Sequence, residues 1–415
     1  MSDFEGYLRG DPRAKRIEIG LLMAGLATFT LLYATQAILP YFTRDYGISP
    51  AEAALSVSAA TAGLGVGLLV AVPVSERIGR VRLIRWSLLI ASLLALVVAL
   101  LPSWPLFLAA RFLMGFVLAG LPATAAVYLK EEIHPSYVTA ATGIYIFGTT
   151  LGGLSGRVVS ALTIEVANQW GYDGTGVLSV SHLALFVTAV LAVGCAVGCW
   201  ALLPESRGFV PHFDSLRELL RKFGRAFRDP VLVGLYAIGG LGMGTFVGAF
   251  NSLAFRLEAA PYLLSVGAMG LIYFVYPIAG VGSIVAGRLG GRYSLRAVMP
   301  YGPLVAIIGI LLMGLPHLFW IVFGIAILSV GFFMSHSLAS TWVAQRASAS
   351  VGVPAQAASM YMLVYYAGSS VNGNLAPLAW ELRGWSGVTY LSLAFMGIAF
   401  VVSVLLARSR PMTRA

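Results

Sequence analysis

Long apolar stretches succeed one another along the chain, separated by short polar turns in which glycine, proline and arginine concentrate. A membrane-spanning helix needs about 20 apolar residues, and these stretches have that length. They predict twelve spans: Ile17–Leu39, Ala54–Val74, Leu83–Leu101, Leu106–Leu129, Val138–Leu162, Ser181–Leu203, Val231–Phe255, Leu263–Ala286, Ala297–Leu315, Leu318–Val343, Ala355–Trp380 and Ser386–Leu406. Within each run apolar residues follow continuously, whereas barrel strands alternate every second residue over about ten. An all-α membrane protein is therefore expected. The many glycines inside the runs suit it, because small residues let membrane helices approach closely.

The pattern repeats. LPSWPLFLAARFLMGFVLAG from Leu101 matches LPHLFWIVFGIAILSVGFFMSH from Leu315, TGIYIFGTTLGGLSG from Thr142 matches SMYMLVYYAGSSVNG from Ser359, and GLATF at Gly25 matches GMGTF at Gly242, at an offset of about 216 residues. Two pseudo-symmetric six-helix bundles are predicted, residues 1–203 and 230–415, joined by a linker over 204–229. Repeats of this kind are the architecture of transporters that alternate access to a central site. The linker ends in SLRELLRKFGRAFRD, whose Leu216, Leu219, Leu220 and Phe223 can face the membrane surface while its arginines remain on the cytoplasmic side.

Composition agrees with membrane residence: 59% of the 415 residues are hydrophobic and 11% charged, against about 25% charged in soluble domains. The net charge of +10 comes from 27 Lys and Arg against 17 Asp and Glu. With the N-terminus inside, 22 of the basic residues fall in cytoplasmic segments, three (Arg44, Arg256, Arg383) in external loops, and two (Arg111, Arg157) inside spans. This asymmetry places both termini in the cytoplasm. It accounts for the positive charge without nucleic acid. Cys195 and Cys199 lie four apart on one apolar run and fit helix packing; with no further ligands there, no metal is expected.

Charge is densest in PVSERIGRVRLIRW, Pro73–Trp86, between the second and third spans. Gly79 permits a tight turn, Glu76 can pair with an arginine, and Arg77, Arg80 and Arg82 can cap helix C-termini or bridge helices. The corresponding segment of the second half, AGRLGGRYSLRAV, contains Arg292. A basic cluster at matching points of both halves can serve as a cytoplasmic gate.

These residues resemble the major facilitator superfamily. ERIGR (Glu76–Arg80) looks like its loop signature, RFLMG (Arg111–Gly115) its fourth-helix signature with a buried arginine, GTTLGG (Gly148–Gly153) the fifth-helix glycine signature of the proton-driven exporters, and PESR, which contains Glu205 and Arg207, the motif after helix six. YLKEEIHPSYV, LPESRGF, GFFMSHSLAS and YYAGSSVNG are similar to the YnfM-type inner-membrane transport proteins of the drug/proton antiporter branch. The resemblance covers nearly the whole chain. It implies the fold of that superfamily, and Gly148, Gly152, Gly153, Gly156 and Arg157 as the fifth-helix motif. The chain departs from the family pattern in four places: Val72 stands for the usual glycine, Thr149 for the usual proline, Gly291 for the acid of the second-half loop and Ser294 for its glycine.

A charge within a bilayer costs about 3 kcal/mol or more, so buried ionisable residues are functional candidates. Arg111 is expected either to face the cavity or to bond carbonyls of the first helix, and Arg157 to reach toward the outer interface. His336 is the only histidine well inside a span, and its place in the first half is taken by Gly120. Tyr361, Tyr365, Tyr366, Ser369, Ser370, Asn372 and Asn374 crowd the eleventh span, too polar a set for a lipid face. With Tyr33, Gln36 and Asn251 they predict a substrate cavity of aromatic faces and neutral hydrogen-bonders. No carboxylate lies mid-span. The proton-coupling candidates are therefore His336, Arg111, and Glu52 or Glu165 at the outer rim.

The function expected is secondary active transport, proton-coupled efflux of a small amphiphilic drug-like compound or metabolite by alternating access in a bacterial inner membrane. The alternative is a uniporter or importer of a neutral or anionic small molecule. No G-x-x-x-x-G-K-[ST] loop is present for a nucleotide-driven pump, and no reactive constellation at membrane depth suggests an enzyme. The partners expected are a small-molecule substrate, protons and membrane lipid; no cofactor is expected, and the chain is read as a monomer.

Overall fold

The computed structural model describes residues 4–209, 211 and 216–408. Among them the only strand-like pairing is an isolated bridge between Tyr7 and Ile133. The helices are α1 (Pro12–Tyr33), α2 (Leu39–Tyr46), α3 (Pro50–Ile78), α4 (Arg80–Val98), α5 (Trp104–Leu118), α6 (Gly120–Glu132), α7 (Val138–Gln169), α8 (Val180–Leu202), α9 (Leu216–Arg228), α10 (Pro230–Glu258), α11 (Val266–Ile272), α12 (Ala279–Tyr293), α13 (Leu295–Val298), α14 (Tyr301–Met313), α15 (Leu318–Ser350) and α16 (Pro354–Arg408), with 3-10 turns at Gln36–Ile38 and Tyr273–Ile278. The side chains of Leu216, Leu219 and Leu220, expected at the membrane surface, lie outside the described residues.

Local chemistry sets the boundaries. Asp11 caps α1 by accepting from Arg13 N at 2.7 Å, and Pro12 fills the first position, where no N–H is needed. Ser49 and Glu52 form a reciprocal capping box on α3. The span predicted as one helix over Leu106–Leu129 breaks at Ala119, because Pro122 cannot donate to the carbonyl one turn earlier. Pro277 lies in the 3-10 turn that interrupts the eighth run.

Among the described residues ten stretches are long and apolar enough to cross a membrane. One of them, α16, holds two predicted runs, parted by the non-helical Arg383 and Gly384. α7, diluted by glycine, threonine and Arg157, brings the total to twelve, ten plus the second run of α16 plus α7. The chain is a multi-pass, all-α membrane protein.

Two compact units form: Met1–Asp214 with Leu257–Phe274, and Ser215–Arg256 with Val275–Ala415. In the first unit α1 packs on α7 and α8, α3 on α5 and α6, and α11 on α7; in the second α15 packs on α12, α14 and α16. Glycines bring α1 and α7 into backbone contact. A Cβ at Gly148 would lie 2.5 Å from Leu22 O and one at Gly152 2.5 Å from Leu26 O, while one at Gly156 would strike Thr30 O. The second unit repeats the device between α10 and α16. A Cβ at Gly239 would lie 2.6 Å from the Tyr361 ring and one at Gly244 2.9 Å from the Asn372 Cβ, while one at Gly368 would strike the backbone of Gly240.

Candidate substrate and gating sites

In the first unit Arg111 is 2% exposed. Its Nε donates to Ser56 O at 2.9 Å, Nη1 to Leu31 O at 2.7 Å and Nη2 to Leu32 O at 3.0 Å. These carbonyls belong to α1 and α3, so the guanidinium binds three helices together where α1 ends. α1 stops there because its last carbonyls turn to this side chain and to the 3-10 turn that follows.

Arg157 does not reach toward the interface as expected. It is fully buried, donating from Nε to Gln36 Oε1 at 2.6 Å and from Nη1 to Gly153 O. Its guanidinium carbon stands 4.4 Å from the Tyr33 ring centre and 5.6 Å from that of Tyr273. Hydrogen bonds and aromatic faces compensate the charge in place, which removes the need for an aqueous interface. The structure thus joins Tyr33, Gln36 and Arg157 in one cluster and holds Arg111 apart, among backbone carbonyls.

In the second unit His336 is partly exposed on α15. Its Nδ1 lies 2.8 Å from Tyr361 Oη. The ring sits 4.9 Å from that of Tyr365, 5.6 Å from Tyr361 and 6.1 Å from Phe332. Tyr366 packs edge-on against Tyr365 at 5.1 Å. Further along α16, both amide atoms of Asn372, Ser369 Oγ and Asn374 Oδ1, and across from them Thr245 Oγ1 on α10, are buried without a hydrogen-bond partner among the described residues. Asn251 is committed, donating from Nδ2 to Gly373 O at 2.8 Å. Each unit therefore ties its first and fifth spans with one side-chain amide, Gln36 to Arg157 in the first and Asn251 to Gly373 in the second.

At the basic end of the first unit, Arg80 pairs with Glu131 Oε1 at 3.2 Å and donates to Ser75 Oγ at 2.6 Å, with its guanidinium over Phe209. Arg85 pairs with Glu205 at 2.5 Å and donates to Leu203 O at 2.6 Å. Glu132, fully buried, accepts from the backbone N–H of Arg207 and of Gly208, each at 2.7 Å, and from Ser206 Oγ at 2.5 Å. Arg80 of ERIGR thus closes onto α6, and Arg85, beyond the motif, onto the PESR segment. Gly79 supplies the turn with φ 96°. Glu76 is partly exposed, while the side chains of Arg77, Arg82, Arg207 and Arg292 are exposed.

Glu52 is engaged by the α3 capping box, its Oε2 accepting from Ser49 N at 2.8 Å. Glu165 lies beyond the apolar run, which ends at Leu162, and accepts from Gly267 N at 3.0 Å. That N–H, aided by Ser265 and Gln169, holds its carboxyl below the usual glutamate range. The same face carries the Arg44–Glu258 ion pair.

Sequence reading passed over Glu131 and Glu132, whose partners lie 51 and about 75 residues away. It also passed over Asp229, which caps α10 and receives Arg346 at 2.7 Å and Ser350 at 2.9 Å. The adjacent acids of YLKEEIHPSYV were the available signal, since two carboxylates at the end of an apolar helix require cationic or N–H partners. No group of three metal-ligating side chains occurs among the described residues.

Residues 21–373 match the family model of the Major Facilitator Superfamily. The chain belongs to the major facilitator superfamily. Members with similar sequences are the inner membrane transport protein YnfM of Escherichia coli K12, 38% identical over 96% of this chain and 91% of the relative, and the uncharacterized MFS-type transporter YybF of Bacillus subtilis, 35% identical over 97% and 96%. In fold it is similar to a bacterial homolog of the human lysosomal transporter Spinster, solved inward-facing and occupied, with TM-score 0.75, 16% identity and coverage of 97% of this chain and 98% of that one. The chain is a superfamily transporter, not an enzyme.

Proposed function

We propose that this transporter exports a small amphiphilic compound across a bacterial inner membrane in exchange for protons, by alternating access between two six-helix halves, with both termini cytoplasmic. The observation that carries the reading is His336, a titratable ring stacked on Phe332 and tilted against Tyr361 and Tyr365, with the unpartnered amide of Asn372 further along the same α16 that supplies both tyrosines. Aromatic faces hold an apolar body and neutral amides orient it. A substrate lying against Tyr365 strips water from His336 and disfavours its charged form; a proton on His336 draws water in and disfavours the substrate. Binding of one then expels the other, which is the coupling an antiporter needs. Arg111 and Arg157 shape the first half, and the Arg80 and Arg85 pairs act at the cytoplasmic gate. Residence in the inner membrane follows the relative from Escherichia coli, which is named for it.

Everted vesicles loaded with a pH-sensitive dye and challenged with neutral, anionic and cationic amphiphiles test the reading. Proton release on adding a compound, lost in His336→Gln while binding persists, is the expected result. Substrate movement without proton movement would make the protein a facilitator and His336 a binding residue only.

A further inference from the structure

The second unit contains a cavity of about 840 Å³ between α12, α13 and α15. Its walls include Ser283, Gly287 and Gly291 from α12, Ser337, Thr341 and Gln345 from α15, and Arg296 with Trp342. Within each of the two helices these positions are four apart, so each trio forms a single row along one face, and the two rows oppose each other.

The matching seam of the first unit is closed. With Glu76 corresponding to Gly291 and Gly120 to His336, the six positions are Leu68, Val72 and Glu76 on α3 and Leu121, Ala125 and Leu129 on α6. Leu68, Leu121, Ala125 and Leu129 are buried there, and so is Val81, which corresponds to Arg296. Four apolar residues have been exchanged for Ser283, Ser337, Thr341 and Gln345, Val72 for a glycine, a buried valine for an arginine, and an acid for a glycine. A Cβ at Gly287 or Gly291 would meet nothing within 4 Å. Packing of the unit does not require these exchanges, since the first unit does without them. They remove volume, add hydroxyl and amide groups, and change the local charge by two positive units.

We infer that this cavity is a binding site for a small hydroxylated carboxylate. Arg296 supplies the cation, its guanidinium carbon 5.7 Å from the Trp342 ring centre at the wall of the cavity, and a guanidinium fork is the group suited to a bidentate carboxylate contact. Ser337 donates to Ser283 at 2.8 Å across the two rows; with Thr341 and Gln345 this gives paired donors and acceptors suited to the hydroxyls of a polyol chain. None of the lining residues is acidic, so nothing there repels an anion. The inference goes beyond the transport reading and depends neither on coupling nor on direction.

Binding is read at equilibrium on the purified full-length protein, by calorimetric titration with sodium gluconate, with sodium chloride at equal ionic strength and with glucose as the uncharged polyol. Gluconate should bind and glucose should not. Arg296→Gln should weaken gluconate by about tenfold or more, the scale of one charge-assisted hydrogen bond, with Arg296→Lys falling between. Ser337→Leu, which restores the residue of the first unit, should abolish binding while raising or leaving unchanged the melting temperature. Gluconate that fails to bind, or binds equally to Arg296→Gln and Ser337→Leu, would overturn the site. Displacement of gluconate by phosphatidylglycerol in nanodiscs would overturn it too, reassigning the cavity to a lipid headgroup. Because no transport is measured, failure here leaves the antiport reading intact, and loss of coupling in His336→Gln leaves this site intact.

Discussion

Gly79 and Ser294 hold the same backbone conformation, φ 96° and ψ 151° against φ 111° and ψ 149°, at corresponding turns of the two halves. Glycine reaches this region freely, and a serine is strained there by about 1–3 kcal/mol. Ser294 recovers part of the cost by capping α13, its Oγ accepting from Ala297 N at 3.4 Å. Ser294→Gly should therefore raise the midpoint of thermal unfolding slightly. Gly79→Ala should lower it, through a loss of about 1–3 kcal/mol of stability, and since the nearest atom to the new methyl is Phe209 at 3.7 Å, the loss would come from the backbone alone. A stable Gly79→Ala variant would show that the turn adapts.

The α1–α7 contact makes a second, sharper prediction. Gly152→Ala drives a methyl against Leu26 O, whereas Gly143, on the same helix, has nothing within 4 Å of a Cβ. Overpacking of this kind costs about 1–3 kcal/mol, so Gly152→Ala should lose thermal stability and transport together, while Gly143→Ala should match the parent in both. Equal behaviour of the two variants would remove the close packing from consideration.

Much of this architecture is legible in the sequence because bilayer length and small-residue packing act locally. Apolar runs of bilayer length mark the spans, and GTTLGG marks the helix that approaches α1. Helix interruptions are less legible: Pro122 and Pro277 sit inside apolar runs that hydropathy alone joins into single helices. Pairings are the least legible. Arg157 was expected at the interface, and it is buried because Gln36, 121 residues earlier, is folded to within 2.6 Å of it. Likewise Arg80 finds Glu131 across 51 residues, while the nearer acid in its own motif, Glu76, stands at a partly exposed position.

That choice of partner can be measured. If Arg80 acts through Glu131, Glu131→Gln and Arg80→Gln should each reduce stability, and the double variant should lose less than the sum. A coupling of about 1 kcal/mol or more is expected for a pair better shielded than an exposed surface bridge. Glu76→Gln should be additive with Arg80→Gln. The opposite pattern, coupling to Glu76 and none to Glu131, would return the gate to the pair suggested by the motif.

Arg111 separates a structural charge from a substrate-binding one. Its donors reach Ser56 O, Leu31 O and Leu32 O in one planar fork, and a lysine ammonium on a flexible stem cannot serve all three. Arg111→Lys therefore leaves buried carbonyls unpaired, at about 1–3 kcal/mol for each group lost. The buried thiols of Cys195 and Cys199 provide the readout, since a thiol-reactive dye labels them only as the first unit opens. Arg111→Lys should be labelled at a markedly lower temperature, while substrate affinity measured well below that transition stays within about threefold of the parent, less than the tenfold that 1.4 kcal/mol of lost binding would give. Unchanged labelling with lost affinity would instead make Arg111 a group that meets the substrate, and the three carbonyls a resting position from which it departs.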